Sequence, residues 1–187
     1  AEAGAKVVIS SRKQEGLDTV AEGIQAKGGE ALPVVAHNGS KDGLKALVHG
    51  TVKAYGTVDI LVNNAATNPH FGPILEAEDS MWQKTIEVNI MGLVWLTQSV
   101  VGVMRANGGG KIVNIASIGG RTGRPGVGVN YAASKAGVIG LTQTLAREAG
   151  PASAISAYRL LESIAATSPT GLICSLIQAK SLAVLDA

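Results

Sequence analysis

The chain has 187 residues and a formal net charge of +2, with 46% hydrophobic and 16% charged residues. This length and composition predict one folded domain with a sizeable core and exclude a disordered chain. Only 3% of the residues are aromatic and 24 are glycine. The core must therefore consist mainly of aliphatic side chains in closely packed layers.

The sequence also argues against several classes of function. Its charges are scattered, without the basic cluster of a nucleic-acid-binding protein. The single Cys174 excludes an intrachain disulfide, and His37, His49 and His70 lack metal-ligand spacing, so we expect no metal. No uninterrupted apolar run reaches about 18 residues, and the N-terminal residues do not resemble a signal peptide. We expect no membrane segment and a cytoplasmic protein.

Short β-branched runs alternate along the chain with longer stretches of helical apolar spacing. In chain order they predict strand 6–10, helix 14–27, strand 31–36, helix 40–55, strand 59–63, helix 79–106 broken near Gly92, strand 111–116 and helix 130–149. Ser40 is expected to cap the second helix, and Pro33 favours a position near the sheet edge for the second strand.

This alternation predicts an α/β fold with right-handed crossovers and a parallel sheet covered on both faces. In such open sheets, ligands bind beyond the carboxyl ends of the strands. The segments to consider are therefore 11–13, 37–39, 63–73 and 117–128. We take residues 1–150 as one domain and residues 151–187, which show no clean strand-turn pattern, as a tail of uncertain structure.

Tyr131 and Lys135 are four residues apart, so on a helix they share a face. A lysine cation, together with a positively charged nicotinamide, favours the phenolate form of a tyrosine and would suit it to acid/base chemistry. An ordinary surface pair is the alternative, because this spacing alone is a weak pattern. Ser117 follows the fourth strand and is expected to reach the same strand end, where it would hold a substrate oxygen or simply cap a turn.

Asparagines occupy two further positions of interest. Asn63, Asn64, Ala65 and Ala66 end the third strand, where small residues let a flat ligand approach the backbone, although ordinary turn chemistry is the alternative. Asn89 lies in the middle of a predicted helix, where asparagine is unfavourable. Such a local inconsistency often marks a functional position, although a solvated asparagine would also fit.

Together, Asn63 to Ala66, Asn89, Ser117, Tyr131 and Lys135 resemble the motifs of the short-chain dehydrogenase/reductase family, in order and in spacing, over residues 1–150. The resemblance implies a Rossmann-like doubly wound sheet and four catalytic residues. Tyr131 would be the proton donor or acceptor, and Lys135 would favour its phenolate and bind the nicotinamide ribose. Ser117 would orient the substrate oxygen, and Asn89 would hold a water of the proton relay.

Within the family the sequence looks most like NADP-preferring carbonyl reductases. An NAD-selective site has an acidic residue where this chain has Ser11, Arg12 and Lys13, and an arginine can instead hold a 2′-phosphate. We therefore expect NADP(H), although a solvated basic turn is the alternative. The expected cofactor-binding residues are Ser11, Arg12, Lys13, Asn38, Asn64, Ala65, Ala66, Tyr131 and Lys135.

The chain departs from the family at both ends. The family's first strand and glycine-rich phosphate-binding turn are missing, and Gly108 to Gly110 cannot replace that turn because they precede a strand. The resemblance also stops after Glu148, which suggests a frameshift, an alternative splice or an assembly error. A sheet without its central strand would expose strand edges, so we predict a poorly soluble or oligomeric chain. Leu172 to Leu176 are apolar enough to form a strand over that gap.

Two functions remain open. The first is an oxidoreductase that transfers a hydride between NADP(H) and a carbonyl or alcohol substrate. The second is a non-catalytic fragment or interaction subunit. Another nucleotide-binding α/β protein would leave the Ser-Tyr-Lys spacing unexplained. In the family, the helices that carry Asn89 and Tyr131 pack against a partner subunit, so we expect a homodimer or homotetramer. His70 is expected to be a loop residue with no catalytic role.

Overall fold

The computed structural model describes residues 1–123, 125–153, 155–162 and 181–185. They form an α/β fold around one parallel six-stranded sheet. The strands are β1 (Lys6–Ser11), β2 (Glu30–Val35), β3 (Ile60–Asn63), β4 (Gly110–Ser117), β5 (Ile155–Glu162) and β6 (Ser181–Leu185). The helices are α1 (Gln14–Ala26), α2 (Lys41–Tyr55), α3 (Asp79–Ile86), α4 (Gly92–Ala106) and α5 (Val129–Ser153), with short 3-10 turns at Ile74–Glu76 and Ile118–Gly120.

The predicted elements from β1 to α5 are confirmed, with small shifts at their ends. Ser40 caps α2, because its hydroxyl oxygen accepts a hydrogen bond of 3.2 Å from the Gly43 amide. Pro33 lies in β2, which is an edge strand of the sheet, as its missing N–H requires.

The strand order is β2-β1-β6-β3-β4-β5. The chain therefore moves outward from the centre in two directions, from β1 to β2 and from β3 through β4 to β5, as in a doubly wound sheet. β6 lies at the centre and pairs with both β1 and β3. At this position the C-terminal tail fills the gap that a missing central strand would leave, as the sequence allowed, and the segment that does so is Ser181–Leu185.

The tail also contributes β5, which the sequence did not predict as a strand. Residues Ile155–Glu162 pair in parallel with Gly110–Ser117 along their whole length. Small and polar residues interrupt the apolar pattern of this segment, so pairing with β4, not periodicity, decides its conformation. The other candidate strand, Leu172 to Leu176, lies outside the described residues.

The core lies on both faces of the sheet. On one face, Val8, Leu61 and Ile112 pack with Leu44 of α2 and Leu96 of α4. On the other face, a second cluster joins β1, β3 and β4 to α1. Its members include Val7, Ile9, Ile60, Val62 and Leu17. The alternation of neighbouring strand residues between two clusters is the pattern of a sheet that is buried on both sides.

The predicted break in the long helix takes the form of a π-helix at Glu87–Met91, between α3 and α4. A π-helix changes the backbone hydrogen-bonding pattern, and the Val88 carbonyl accepts a 2.6 Å hydrogen bond from the Asn38 amide. By length and composition alone, Asp79–Ala106 is the one stretch of the described chain that could span a membrane. In the structure, Leu96, Val100 and Met104 of this stretch lie in the core.

Candidate active site

The predicted site residues lie at the carboxyl ends of four neighbouring elements. Ser11 ends β1, Asn38 follows β2, Asn64 follows β3 and Ser117 ends β4. Because all paired strands are parallel, these ends lie along the same edge of the sheet. The N-terminal turns of α5, which carry Tyr131, come next in the chain after β4 and its 3-10 turn.

Lys135 is held between α5 and the sheet. It is 3% exposed, and its ammonium group donates a 2.7 Å hydrogen bond to the Ile115 carbonyl of β4. The same ammonium nitrogen lies 5.8 Å from the centre of the Tyr131 ring. A buried cation is thus fixed beside a phenol that remains partly exposed.

Ser117 is positioned by the turn that follows it. Its hydroxyl oxygen accepts a 3.1 Å hydrogen bond from the Gly119 amide. That bond occupies a lone pair of the oxygen, so the hydroxyl hydrogen remains to be donated. The side chain is half-buried at the end of β4, two residues beyond the carbonyl that binds Lys135.

Gly120 brings the turn after Ser117 against α5. A Cβ atom at this residue would lie 2.6 Å from the carbonyl carbon of Lys135 and 2.7 Å from the amide nitrogen of Ala136. Both are backbone atoms of a helix, which cannot move away at low cost. Only glycine therefore allows the Ser117 turn to approach the Tyr131 helix this closely.

Asn89 lies in the π-helix and is 2% exposed. Its side-chain oxygen accepts a 2.7 Å hydrogen bond from the Thr67 amide, and its Nδ2 donates to the Thr67 carbonyl and the Ser134 hydroxyl, each at 2.9 Å. Both hydrogens of the side-chain amide are thus used within the protein. A water in the proton relay would have to be held by atoms other than this NH₂ group.

Ser134 was not predicted as a site residue, and Thr67 was predicted only as part of the segment 63–73. Ser134 is buried and donates a 2.7 Å hydrogen bond to the Tyr131 carbonyl, so it connects Asn89 to the helix that carries Tyr131. The only sequence signal was the asparagine in mid-helix, which implied a buried partner but did not identify it.

Some of the residues expected to bind the cofactor have exposed side chains, and others already form contacts within the protein. Arg12 and Lys13 are exposed after β1, and within the described residues neither forms an ion pair. The Asn38 amide is already bound to the Val88 carbonyl. Ala65 packs against the core, with Asn64 and Ala66 half-buried on either side of it. The structure brings these segments to one sheet edge but leaves only the basic pair fully accessible.

The loop after β3 is hydrogen-bonded to the segment just before α5. Asn68 donates a 2.8 Å hydrogen bond to the Val127 carbonyl, and His70 lies with its Nε2 2.9 Å from the Pro73 carbonyl oxygen. His70 is buried in this loop, and its hydrogen bond to Pro73 stays within the same loop. Across the described residues, no group of three or more His, Cys, Asp or Glu side chains is placed to hold a metal ion.

Comparison with known proteins identifies the family. The family model for short chain dehydrogenases matches residues 1–167. The chain belongs to the short-chain dehydrogenase family. It is 40% identical over 151 residues to human dehydrogenase/reductase SDR family member 4, covering 81% of this chain and 54% of that protein. The chain therefore spans about half the length of the curated relatives it matches. The family consists of oxidoreductases that bind nicotinamide cofactors and act on small molecules.

Solved structures of the family show the same fold. A short chain dehydrogenase from Mycobacterium smegmatis matches with a TM-score of 0.85 at 28% identity, over 97% of this chain and 80% of that one. A gluconate 5-dehydrogenase from Burkholderia cenocepacia, solved with NADP and tartrate, matches with a TM-score of 0.79 at 32% identity. That match covers 86% of this chain and 62% of the other.

Proposed function

We propose that this chain carries the proton-transfer site of an NADP(H)-dependent oxidoreductase that interconverts a carbonyl and an alcohol. The observation that carries the proposal is the buried ammonium group of Lys135, 5.8 Å from the centre of the Tyr131 ring. A lysine costs free energy to bury unless its charge is used. Here the cation lies beside a phenol at the sheet edge where ligands bind.

In the reduction direction, NADPH held at this edge of the sheet would supply the hydride. The Tyr131 phenol donates its proton to the substrate oxygen, and Ser117 donates a hydrogen bond to the same oxygen. The Lys135 charge stabilises the phenolate that remains on Tyr131. In the oxidation direction the phenolate accepts the proton of the alcohol. Asn89 supports this site indirectly, through Ser134 and the backbone of the Tyr131 helix.

The described residues fit both ends of NADP(H). Arg12 and Lys13 would bind the 2′-phosphate, because they are exposed cations without ion-pair partners among the described side chains. Asn64, Ala65 and Ala66 would contact the cofactor beyond β3, with Ser11 and Asn38 beside the adenosine. Tyr131 and Lys135 would lie at the nicotinamide ribose.

A second candidate is a non-catalytic fragment or interaction subunit that does not bind cofactor by itself, and the groove between helices α4 and α5 favours it. Helices α4 and α5 would then provide its contact surface. A shallow groove between them is lined by apolar and polar residues. They are Val94, Thr97, Gln98, Leu141, Thr144, Leu145 and the charged residue Glu148. The same surface would join two or more copies of an active oxidoreductase.

Fluorescence titration separates the two candidates. NADPH is titrated with the purified chain, and a panel of small ketones and aldehydes is then added while NADPH is followed by absorbance. The oxidoreductase predicts saturable binding, carbonyl-dependent oxidation and a preference for NADPH over NADH. Absence of NADPH binding by a chain that melts cooperatively would contradict it and would favour the interaction subunit.

A further inference from the structure

The π-helix at Glu87–Met91 leaves one of its backbone carbonyls to a side chain from a distant part of the chain. The Gly92 amide donates to the Glu87 carbonyl, five residues back, whereas in an α-helix it would donate to the Val88 carbonyl, four residues back. The Val88 carbonyl instead accepts the 2.6 Å hydrogen bond from the Nδ2 of Asn38. Asn38 thus takes the place of the donor that an α-helix would supply from its own backbone.

Two glycines allow the segment after β2 to lie directly against the π-helix. A Cβ atom at Gly92 would overlap both the side-chain amide and the backbone oxygen of Asn38. A Cβ atom at Gly39 would likewise overlap the Glu87 carboxylate. The contact at Gly92 involves backbone, so a larger residue there could not be accommodated by a change of rotamer alone. The hydrogen bond from Asn38 is therefore part of a close contact between the two segments.

The π-helix also determines the direction of the Asn89 side chain. Hydrogen bonding of the α-helical kind between Gly92 and Val88 would remove the extra residue of the π-turn. It would rotate the preceding residues relative to α4 by about 100°, the angle of one helical residue. Asn89 is 2% exposed, and its amide donates 2.9 Å hydrogen bonds to the Thr67 carbonyl and the Ser134 hydroxyl. A rotation of this size would turn the amide away from both partners.

We propose that Asn38 is a positioning residue for Tyr131, because its hydrogen bond selects the π-helix over an α-helix. Its effect reaches Tyr131 through Asn89 and through Ser134, which donates to the Tyr131 carbonyl at 2.7 Å. The segment expected beside the adenosine and the helix that carries the acid/base residue are therefore connected by hydrogen bonds. This inference deepens the proposed function and rests on it only where a reaction rate is measured.

Hydrogen exchange of the full chain tests the structural part without any reaction. Asn38→Leu keeps a side chain of similar size but removes the donor. Ser40→Ala is the matched control, since it removes a nearby side-chain hydrogen bond that caps α2. The amide to follow is that of Thr67, which donates a 2.7 Å hydrogen bond to the Asn89 side chain. Relative to the amides of β4, its exchange should become at least about tenfold faster in Asn38→Leu and stay unchanged in Ser40→Ala.

Carbonyl-dependent NADPH oxidation tests the functional part. We expect kcat to fall at least about tenfold in Asn38→Leu while KM for NADPH changes less than about threefold, because the side chain acts on Tyr131 and not on the cofactor. A raised KM with an unchanged kcat would show an ordinary contact with the adenosine and would overturn the proposal. An unmodified chain without any activity would refute the proposed function instead, and the exchange of the Thr67 amide would then decide alone.

Equal exchange of the Thr67 amide in Asn38→Leu and Ser40→Ala would overturn the proposal. Faster exchange with an unchanged kcat in an active chain would overturn the link to Tyr131. If Asn38→Leu does not fold, Asn38→Ser takes its place, because the shorter serine side chain does not reach the Val88 carbonyl. Faster exchange of the Thr67 amide in Asn38→Ser supports the proposal, and an unchanged rate overturns it.

Discussion

Asn89 and Ser134 are joined by a 2.9 Å hydrogen bond from the asparagine amide to the serine hydroxyl, although they belong to different helices. The Ser134 hydroxyl in turn donates a 2.7 Å hydrogen bond to the Tyr131 carbonyl. The Asn89 side chain is also hydrogen-bonded to the backbone amide and carbonyl of Thr67. One buried side chain thus ties together the π-helix, the loop after β3 and the tyrosine helix. The position of the helix that carries Tyr131 depends on this connection.

Asn89→Ala should lower the free energy of unfolding by about 1–3 kcal/mol, because it leaves the buried Thr67 amide without its partner. Urea unfolding monitored by circular dichroism measures the change. Asn107→Ala is the matched control, since Asn107 also hydrogen-bonds to a backbone carbonyl but is exposed at the end of α4. Equal losses in the two variants would contradict a special role for the buried asparagine.

Gly120→Ala should destabilise the chain by about 1–3 kcal/mol, because the added methyl group overlaps backbone atoms of α5. Thermal melting detects such a loss readily. Gly123→Ala serves as the control, because a Cβ atom at Gly123 would meet no atom within 4 Å. If Gly120→Ala melted at the same temperature as Gly123→Ala, the close approach of the Ser117 turn to Lys135 would be refuted.

Arg12→Ser should weaken NADPH binding by about 10- to 100-fold, because hydrogen bonds to a charged group contribute about 1.5–3 kcal/mol. NADH lacks the 2′-phosphate, so its affinity should change little. Fluorescence titration of both cofactors provides the comparison, with Arg105→Ser at the end of α4 as the control. A parallel loss of affinity for NADPH and NADH would remove Arg12 from the 2′-phosphate site.

The chain should be oligomeric, a prediction that follows from the groove between α4 and α5. Thr144→Arg places a charge in that groove and should shift the chain toward monomers in sedimentation velocity. Gln143→Arg adds the same charge at the neighbouring exposed residue, outside the residues that line the groove, and should have no effect. A monodisperse monomer before any substitution would contradict the prediction.

Local patterns in the sequence were sufficient for most of the fold. Apolar runs predicted β1 to β4, and helical spacing with the Ser40 cap predicted α2. β5 and β6 were missed because their conformation depends on pairing with strands far away in sequence. Nothing in Ser181–Leu185 itself specifies a central position between β1 and β3.

The proximity of Tyr131 and Lys135 was predictable from the sequence, and the contacts that hold them in place were not. The spacing of Tyr131 and Lys135 on one helix placed the phenol and the ammonium group together, as the structure shows. The bond from Lys135 to the Ile115 carbonyl and the bond from Asn89 to Ser134 join different elements. Such contacts follow from the packing of α5 on β4, which no local pattern encodes.

Replacement of Tyr131 tests the central claim most directly, and the chain provides its own control. Tyr55 also has a lysine over its ring, with the Lys6 ammonium 5.4 Å from the ring centre, but Lys6 begins β1, at the end of the sheet opposite to the site. Tyr131→Phe and Tyr55→Phe are compared in carbonyl-dependent NADPH oxidation. General acid catalysis predicts a loss of about 10²- to 10⁴-fold in rate for Tyr131→Phe, with NADPH affinity retained, and an unchanged rate for Tyr55→Phe. Oxidation at the same rate by Tyr131→Phe and the unmodified chain would contradict the account.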